Sequence, residues 1–101
     1  MKIAITSEGN SLNSLIDPRF GRCSFFAIYD TDTKNTEFIL NPVKESLEGA
    51  GPAAVQFIAS KEVKKIVAGE FGGKIKSLLD NLKIDMLKDN GKTISEIIKQ
   101  F

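Results

Sequence analysis

Between Lys65 and Leu87 the chain carries a pattern that leaves few folds open. A short apolar run, Lys65–Ala68, meets a glycine-rich turn, Gly69-Glu70-Phe71-Gly72-Gly73. Ile75, Leu78, Leu79 and Leu82 then recur at helical spacing, which places one apolar stripe along one face of a helix. Ile84–Leu87 is the next apolar run. Strand, helix, strand in this succession calls for parallel pairing with a right-handed crossover. The alternation continues through the turn Asp89-Asn90-Gly91 into a last helix. Thr93 and Glu96 have the spacing of a capping box, and Ile94, Ile97, Ile98 and Phe101 supply the apolar face. Lys99 in its final turn suits the helix dipole.

The first half has a different period. Lys2–Thr6 is nearly all apolar, the signature of a central strand covered on both faces. Ser24–Tyr29 and Thr36–Leu40 are rich in aromatic and β-branched residues and are separated by the polar turn Asp30–Asn35, which predicts an antiparallel hairpin. Asn41-Pro42 ends the second of these strands. A long loop then closes with Gly49-Ala50-Gly51, and Pro52, a residue suited to the first helical position, opens a helix with Ala54, Phe57 and Ile58 on one face. The expected order is β-β-β-α-β-α-β-α. The class is α/β, with a mixed sheet of about five strands and helices packed on it. A length of 101 residues is that of a single domain, 1–101, and 42% hydrophobic residues suffice for one core.

The same counts exclude several functions. A net charge of +1 gives no general affinity for nucleic acid or anionic membrane. The N-terminus runs straight into a strand pattern, and no stretch approaches a membrane span. A single cysteine permits no internal disulfide, so a cytoplasmic location is expected. Histidine is absent, which removes the commonest general base and metal ligand, and with it any Ser–His or Cys–His pair. Glu8, Asp17, Asp30 and Asp32 are scattered over loops, an arrangement unsuited to a divalent-metal hydrolase or nuclease.

Chemistry is concentrated in Asp17-Pro18-Arg19-Phe20-Gly21-Arg22-Cys23, the end of a loop of about fifteen residues, a length that is usually functional or mobile. Pro18 and Gly21 give it a defined shape. In open α/β sheets ligands bind beyond the carboxyl ends of the parallel strands. There this loop would face two glycine runs, Gly49/Gly51 and Gly69/Gly72/Gly73, each opening a helix whose free N–H groups favour an anion. Neither run matches a P-loop or a dinucleotide fingerprint. Arg19 and Arg22 would add charge. Other readings stand beside this one: Cys23 as a small buried residue, Phe20 as a core plug, Arg22 as a partner of Asp17 or of a main-chain carbonyl.

Lys2-Ile3-Ala4-Ile5, Asp17-Pro18-Arg19-Phe20-Gly21-Arg22, Asn41-Pro42, Gly49-Ala50-Gly51 and Ala68-Gly69-Glu70 with Gly72 together resemble the dinitrogenase iron–molybdenum cofactor biosynthesis family. That family includes NifX-like proteins and the C-terminal domain of NifB. The resemblance covers nearly the whole chain and implies a ribonuclease-H-like fold in a small stand-alone member. It implies a non-catalytic carrier of an anionic iron–sulfur or iron–molybdenum-type cluster, transiently bound and exchanged with a donor or acceptor protein. Arg19, Phe20, Gly21, Arg22, Cys23, Gly49, Gly51, Gly69, Gly72 and Gly73 are the expected cofactor contacts, and Cys23 the one expected metal ligand. Many members have His where this chain has Arg19, and a guanidinium does not ligate metal. The alternatives are a regulatory or scaffolding module without cofactor and, last, the metal-dependent hydrolase.

Overall fold

The computed structural model describes residues 1–101. Its elements are β1 (Lys2–Ser7), β2 (Phe25–Asp30), β3 (Thr36–Leu40), α1 (Ala50–Ala59), β4 (Val63–Ala68), α2 (Ile75–Asn81), β5 (Asp85–Lys88) and α3 (Ile94–Ile98), in chain order. The strands form one mixed sheet in the spatial order β3-β2-β1-β4-β5. β2 runs antiparallel to both β1 and β3, while β4 is parallel to β1 and β5 is parallel to β4. β1 is therefore the central strand, with helices above and below, which is why the consecutive residues Ile3, Ala4 and Ile5 are all apolar and buried.

Strand alternation sorts the core into two layers. Ala4, Phe26, Ile28, Ile66 and Ala68 face α1 and α2, where they meet Ala54, Val55, Ile58, Ile75 and Leu79. Ile3, Ile5, Ala27 and Val67 face the other way, onto Ile94 and Ile97 of α3. Burying one such Ile or Leu side chain contributes about 1.5–3 kcal/mol. A helix as short as α3 has no stability in isolation, so this packing and its cap hold it in place. The cap is the expected box: Thr93 Oγ1 accepts from Glu96 N at 3.2 Å, and Glu96 Oε1 accepts from Thr93 N at 3.0 Å.

Helix ends differ from the sequence expectation. α1 starts at Ala50 behind Gly49, whose φ of 67° is left-handed, so Pro52 occupies the third helical position. Proline is accepted there because first-turn N–H groups have no intrahelical acceptor. Leu82 lies outside α2 and is 44% exposed; Lys83 follows in the left-handed region at φ 58° and turns the chain away. α3 ends at Ile98, which puts Lys99 at its C-cap. Phe101 lies beyond, half-buried at the edge of the layer, with Lys65 Nζ 5.2 Å from its ring centre. No helix is long and apolar enough to cross a membrane.

Candidate functional site

The Asp17–Cys23 loop is fastened at the carboxyl end of the parallel strands. Asp17 N donates to Thr6 O at the end of β1 (2.9 Å), and Thr6 Oγ1 donates back to Asp17 O (2.6 Å). On the other side the loop pairs with the segment after β4: Glu70 N donates to Pro18 O (2.6 Å) and Phe20 N to Glu70 O (3.2 Å). Gly21 lies against the first turn of α1, where an added Cβ would stand 2.9 Å from Gly51 N. The three stretches that sequence analysis singled out thus meet at one end of the sheet.

They meet mainly by packing on each other. Gly21, Gly51 and Gly69 are small because main chain or a neighbouring side chain crowds the place of a Cβ: one added to Gly51 would stand 2.7 Å from Ile75 Cδ1, and one added to Gly69 2.6 Å from Pro18 Cα. Close loop packing, rather than access for a ligand, accounts for these three glycines. Phe20 is 2% exposed and stacks in the core beside Phe26 and Phe71, with ring centres 5.9 and 5.7 Å away. It plugs the loop into the core, as the core-plug reading of Phe20 expects.

Cys23 is sealed in the same way. It is 0% exposed, and its thiol donates to Phe20 O at 3.4 Å. Burial, aided by the Asp17 carboxylate, pushes its pKa up to about 12 from an ordinary 9.0. A neutral, sealed thiol is not a metal ligand. No group of three or more His, Cys, Asp or Glu side chains stands where it could hold a metal ion. A metal centre held through direct bonds does not fit these residues.

Of the two arginines, Arg22 is turned inward. Its Nη1 donates to Lys44 O at 2.9 Å and to Ser46 O, tying the segment between β3 and α1 to the loop. Arg19 is 62% exposed in its side chain, with Nε only 3.5 Å from Asp17 Oδ1. Gly49, Gly72 and Gly73 face open space. The main-chain N–H groups of Gly21, Arg22, Gly49, Gly72 and Gly73 donate no hydrogen bond within the protein. Beside Gly72 and Gly73 lies a depression of about 450 Å³ whose wall includes Glu70, Lys76, Met86 and Lys88. A larger hollow of about 540 Å³ opens at the opposite end of the sheet, around Met1, Asp30 and Leu82, away from all of these groups.

Two further residues position the site, and although Asn41-Pro42 is among the stretches that carry the family resemblance, the sequence assigns neither of them a role there. Asn41 is 4% exposed; its Nδ2 donates to Gly21 O (3.1 Å) and Cys23 O (3.0 Å), while its Oδ1 accepts from Val43 N. Lys44 Nζ donates to Ser24 Oγ at 2.9 Å. Their partners lie about twenty residues away in the chain, and a polar residue before a proline gives no sign of them.

An α/β protein with a five-stranded mixed sheet, three helices and loops gathered at the carboxyl end of its parallel strands is the class these features define. The chain belongs to the dinitrogenase iron-molybdenum cofactor family, whose profile matches residues 1–101. An uncharacterized protein of Methanocaldococcus jannaschii is 36% identical over 104 residues, covering 100% of this chain and 85% of the relative. The apo form of the orange protein from Desulfovibrio gigas superposes with a TM-score of 0.93 at 32% identity, over 99% of this chain and 85% of that one. A NifB-like protein from Thermotoga gives a TM-score of 0.85 at 33% identity, again over 99% and 85%.

Proposed function

We propose that this protein binds an anionic metal cofactor, or a cluster precursor of the iron–molybdenum type, and hands it to another protein without transforming it. Family membership supports a cofactor-related carrier role. The sheet order, with β2 alone antiparallel to its neighbours, supports reading the fold as ribonuclease-H-like and the chain as one domain. The observation that carries the proposal is that the main-chain N–H groups of Gly21, Arg22, Gly49, Gly72 and Gly73, all on loops at the carboxyl end of the parallel strands, donate to nothing in the protein, and that Arg19 on one of those loops is exposed. Such groups suit an anion held by hydrogen bonds and charge. Cys23 has no part in it. The cargo keeps its own ligands, and the protein supplies an outer shell that releases it without breaking a metal bond.

Anaerobic titration with a synthetic cubane iron–sulfur cluster, followed by gel filtration and metal analysis, tests this. We expect co-elution that is weakened in Arg19→Ala and Gly73→Pro and unchanged in Cys23→Ala. Loss of binding in Cys23→Ala with full binding in Arg19→Ala would overturn the assignment. A protein-interaction module without cofactor is the second reading, favoured by Leu47 at 98% and Leu40 at 64% exposure. It expects no metal to co-elute.

A further inference from the structure

We infer that the segment Pro42–Gly49 is a strap that Arg22 holds shut, and that an anion arriving at the site releases it by taking Arg22 away. The strap leaves β3 at Asn41, which is buried and locked by its side-chain hydrogen bonds to Gly21 O and Cys23 O. It enters α1 at Gly49, whose φ of 67° permits a sharp change of direction. Between these ends very little holds it. Lys44 Nζ reaches Ser24 Oγ, and beyond Lys44 the only hydrogen bond to the rest of the fold before Gly49 is the one from Arg22 to Ser46 O. Packing anchors only the start of the strap, where Val43 rests against the core; beyond Lys44, Leu47 at the tip is 98% exposed, and Glu45 and Glu48 are exposed without an ion-pair partner.

The latch is chemically suited to exchange. Arg22 is a permanent cation, and both its acceptors, Lys44 O and Ser46 O, are neutral carbonyls. An anion offers a guanidinium full opposite charge and acceptors for two parallel hydrogen bonds, which a pair of neutral carbonyls does not match. Arg22 belongs to the loop whose own N–H groups at Gly21 and Arg22 are unused, so an anion docked there lies within its swing. One residue thereby couples an occupied site to a freed strap that carries an exposed leucine between two carboxylates. A partner could then sense cargo by the state of that strap.

This inference rests on the anion-carrier reading, and one set of measurements separates the two. Hydrogen–deuterium exchange of the Ser46 amide, the one between Glu45 and Glu48 that donates a hydrogen bond (to Val43 O), is recorded on the full chain, alone and with the cubane iron–sulfur cluster, together with cleavage by a glutamate-specific protease at Glu45 and Glu48. We expect exchange and cleavage to rise about tenfold when the cluster binds, the size set by losing roughly one charged hydrogen bond. Arg22→Gln is expected to show the fast rates without cluster and no further change on adding it, and Arg22→Lys to lie between. Should Arg22→Gln fail to fold, the wild-type rates with and without cluster decide the matter. Cluster binding with unchanged or slower rates, or a folded Arg22→Gln with wild-type rates, overturns the strap and leaves the carrier reading standing. Failure of the cluster to co-elute overturns both.

Discussion

Burial and the nearby Asp17 carboxylate act on Cys23 in the same direction, and the consequence is measurable. A thiol with its pKa raised to about 12 in the folded state and near 9.0 when unfolded stabilises the fold fully below pH 9. Above that the unfolded chain loses its proton while the folded chain keeps it, so stability falls by up to about 1.4 kcal/mol per pH unit until the folded pKa is reached. Urea unfolding at pH 8 and pH 10.5 checks this: wild type should lose stability between them, and Cys23→Ala should lose distinctly less. The native thiol should also ignore a thiol reagent such as Ellman's at pH 8 and react only on unfolding. The glycines make a second residue-scale contrast. In Gly21→Ala the new Cβ meets main chain at 2.9 Å, which costs about 1–3 kcal/mol because neither the loop nor α1 yields cheaply. Gly73→Ala meets nothing within 4 Å and should stay within about 0.5 kcal/mol of wild type. Thermal unfolding of the two variants separates a packing glycine from an open one. Sequence alone did not make that distinction, since both are glycines in loops counted toward the same site, and what differs is the long-range neighbour.

At the scale of elements, periodicity was a sufficient guide wherever one face of an element is buried. Ile3, Ile5, Val67, Ile94 and Ile97 ended in one layer because strand alternation and helical spacing leave them no other common surface. Ends were less legible. Leu82 continues the apolar spacing of α2, yet the left-handed Lys83 removes it from the helix, and spacing carries no information about where φ changes sign. α3 is the element where local chemistry counts most, because five residues bring little packing of their own. Thr93→Ala deletes the side-chain acceptor for Glu96 N and should cost about 1 kcal/mol by urea unfolding. Glu96 adds a pH signature. The Thr93 main-chain N–H, then its hydroxyl, hold the Glu96 carboxyl below its usual range. A lowered folded pKa stabilises above the unfolded value and is lost as pH falls through the folded one, so the capped helix should weaken below about pH 4.5. The acid slope should flatten in Thr93→Ala, which carbon-13 NMR titration of the Glu96 carboxyl would show directly.

For the whole molecule, the question is how a chain with net charge +1 and no histidine would hold a cofactor at all. The sequence showed which loops would meet, because glycines before helices and paired arginines are visible in it. It did not show which groups would be left free once the loops packed, since that depends on Gly21, Gly51 and Gly69 being consumed by contacts and on Arg22 finding carbonyls from Lys44 and Ser46. What stays available is distributed: main-chain N–H groups at Gly21, Arg22, Gly49, Gly72 and Gly73, the Arg19 guanidinium, and Lys88 at the wall of the neighbouring depression. An outer shell of this kind has no strong single bond, so its affinity should depend on ionic strength more than on any one residue. The screening length shrinks from about 10 Å at 0.1 M salt to about 3 Å at 1 M. Affinity for the cubane cluster should therefore fall severalfold across that range. Arg19→Ala should start lower and fall less steeply, while Cys23→Ala should follow the wild-type curve. A salt-independent affinity would instead mean a direct metal bond, which these side chains are not placed to make.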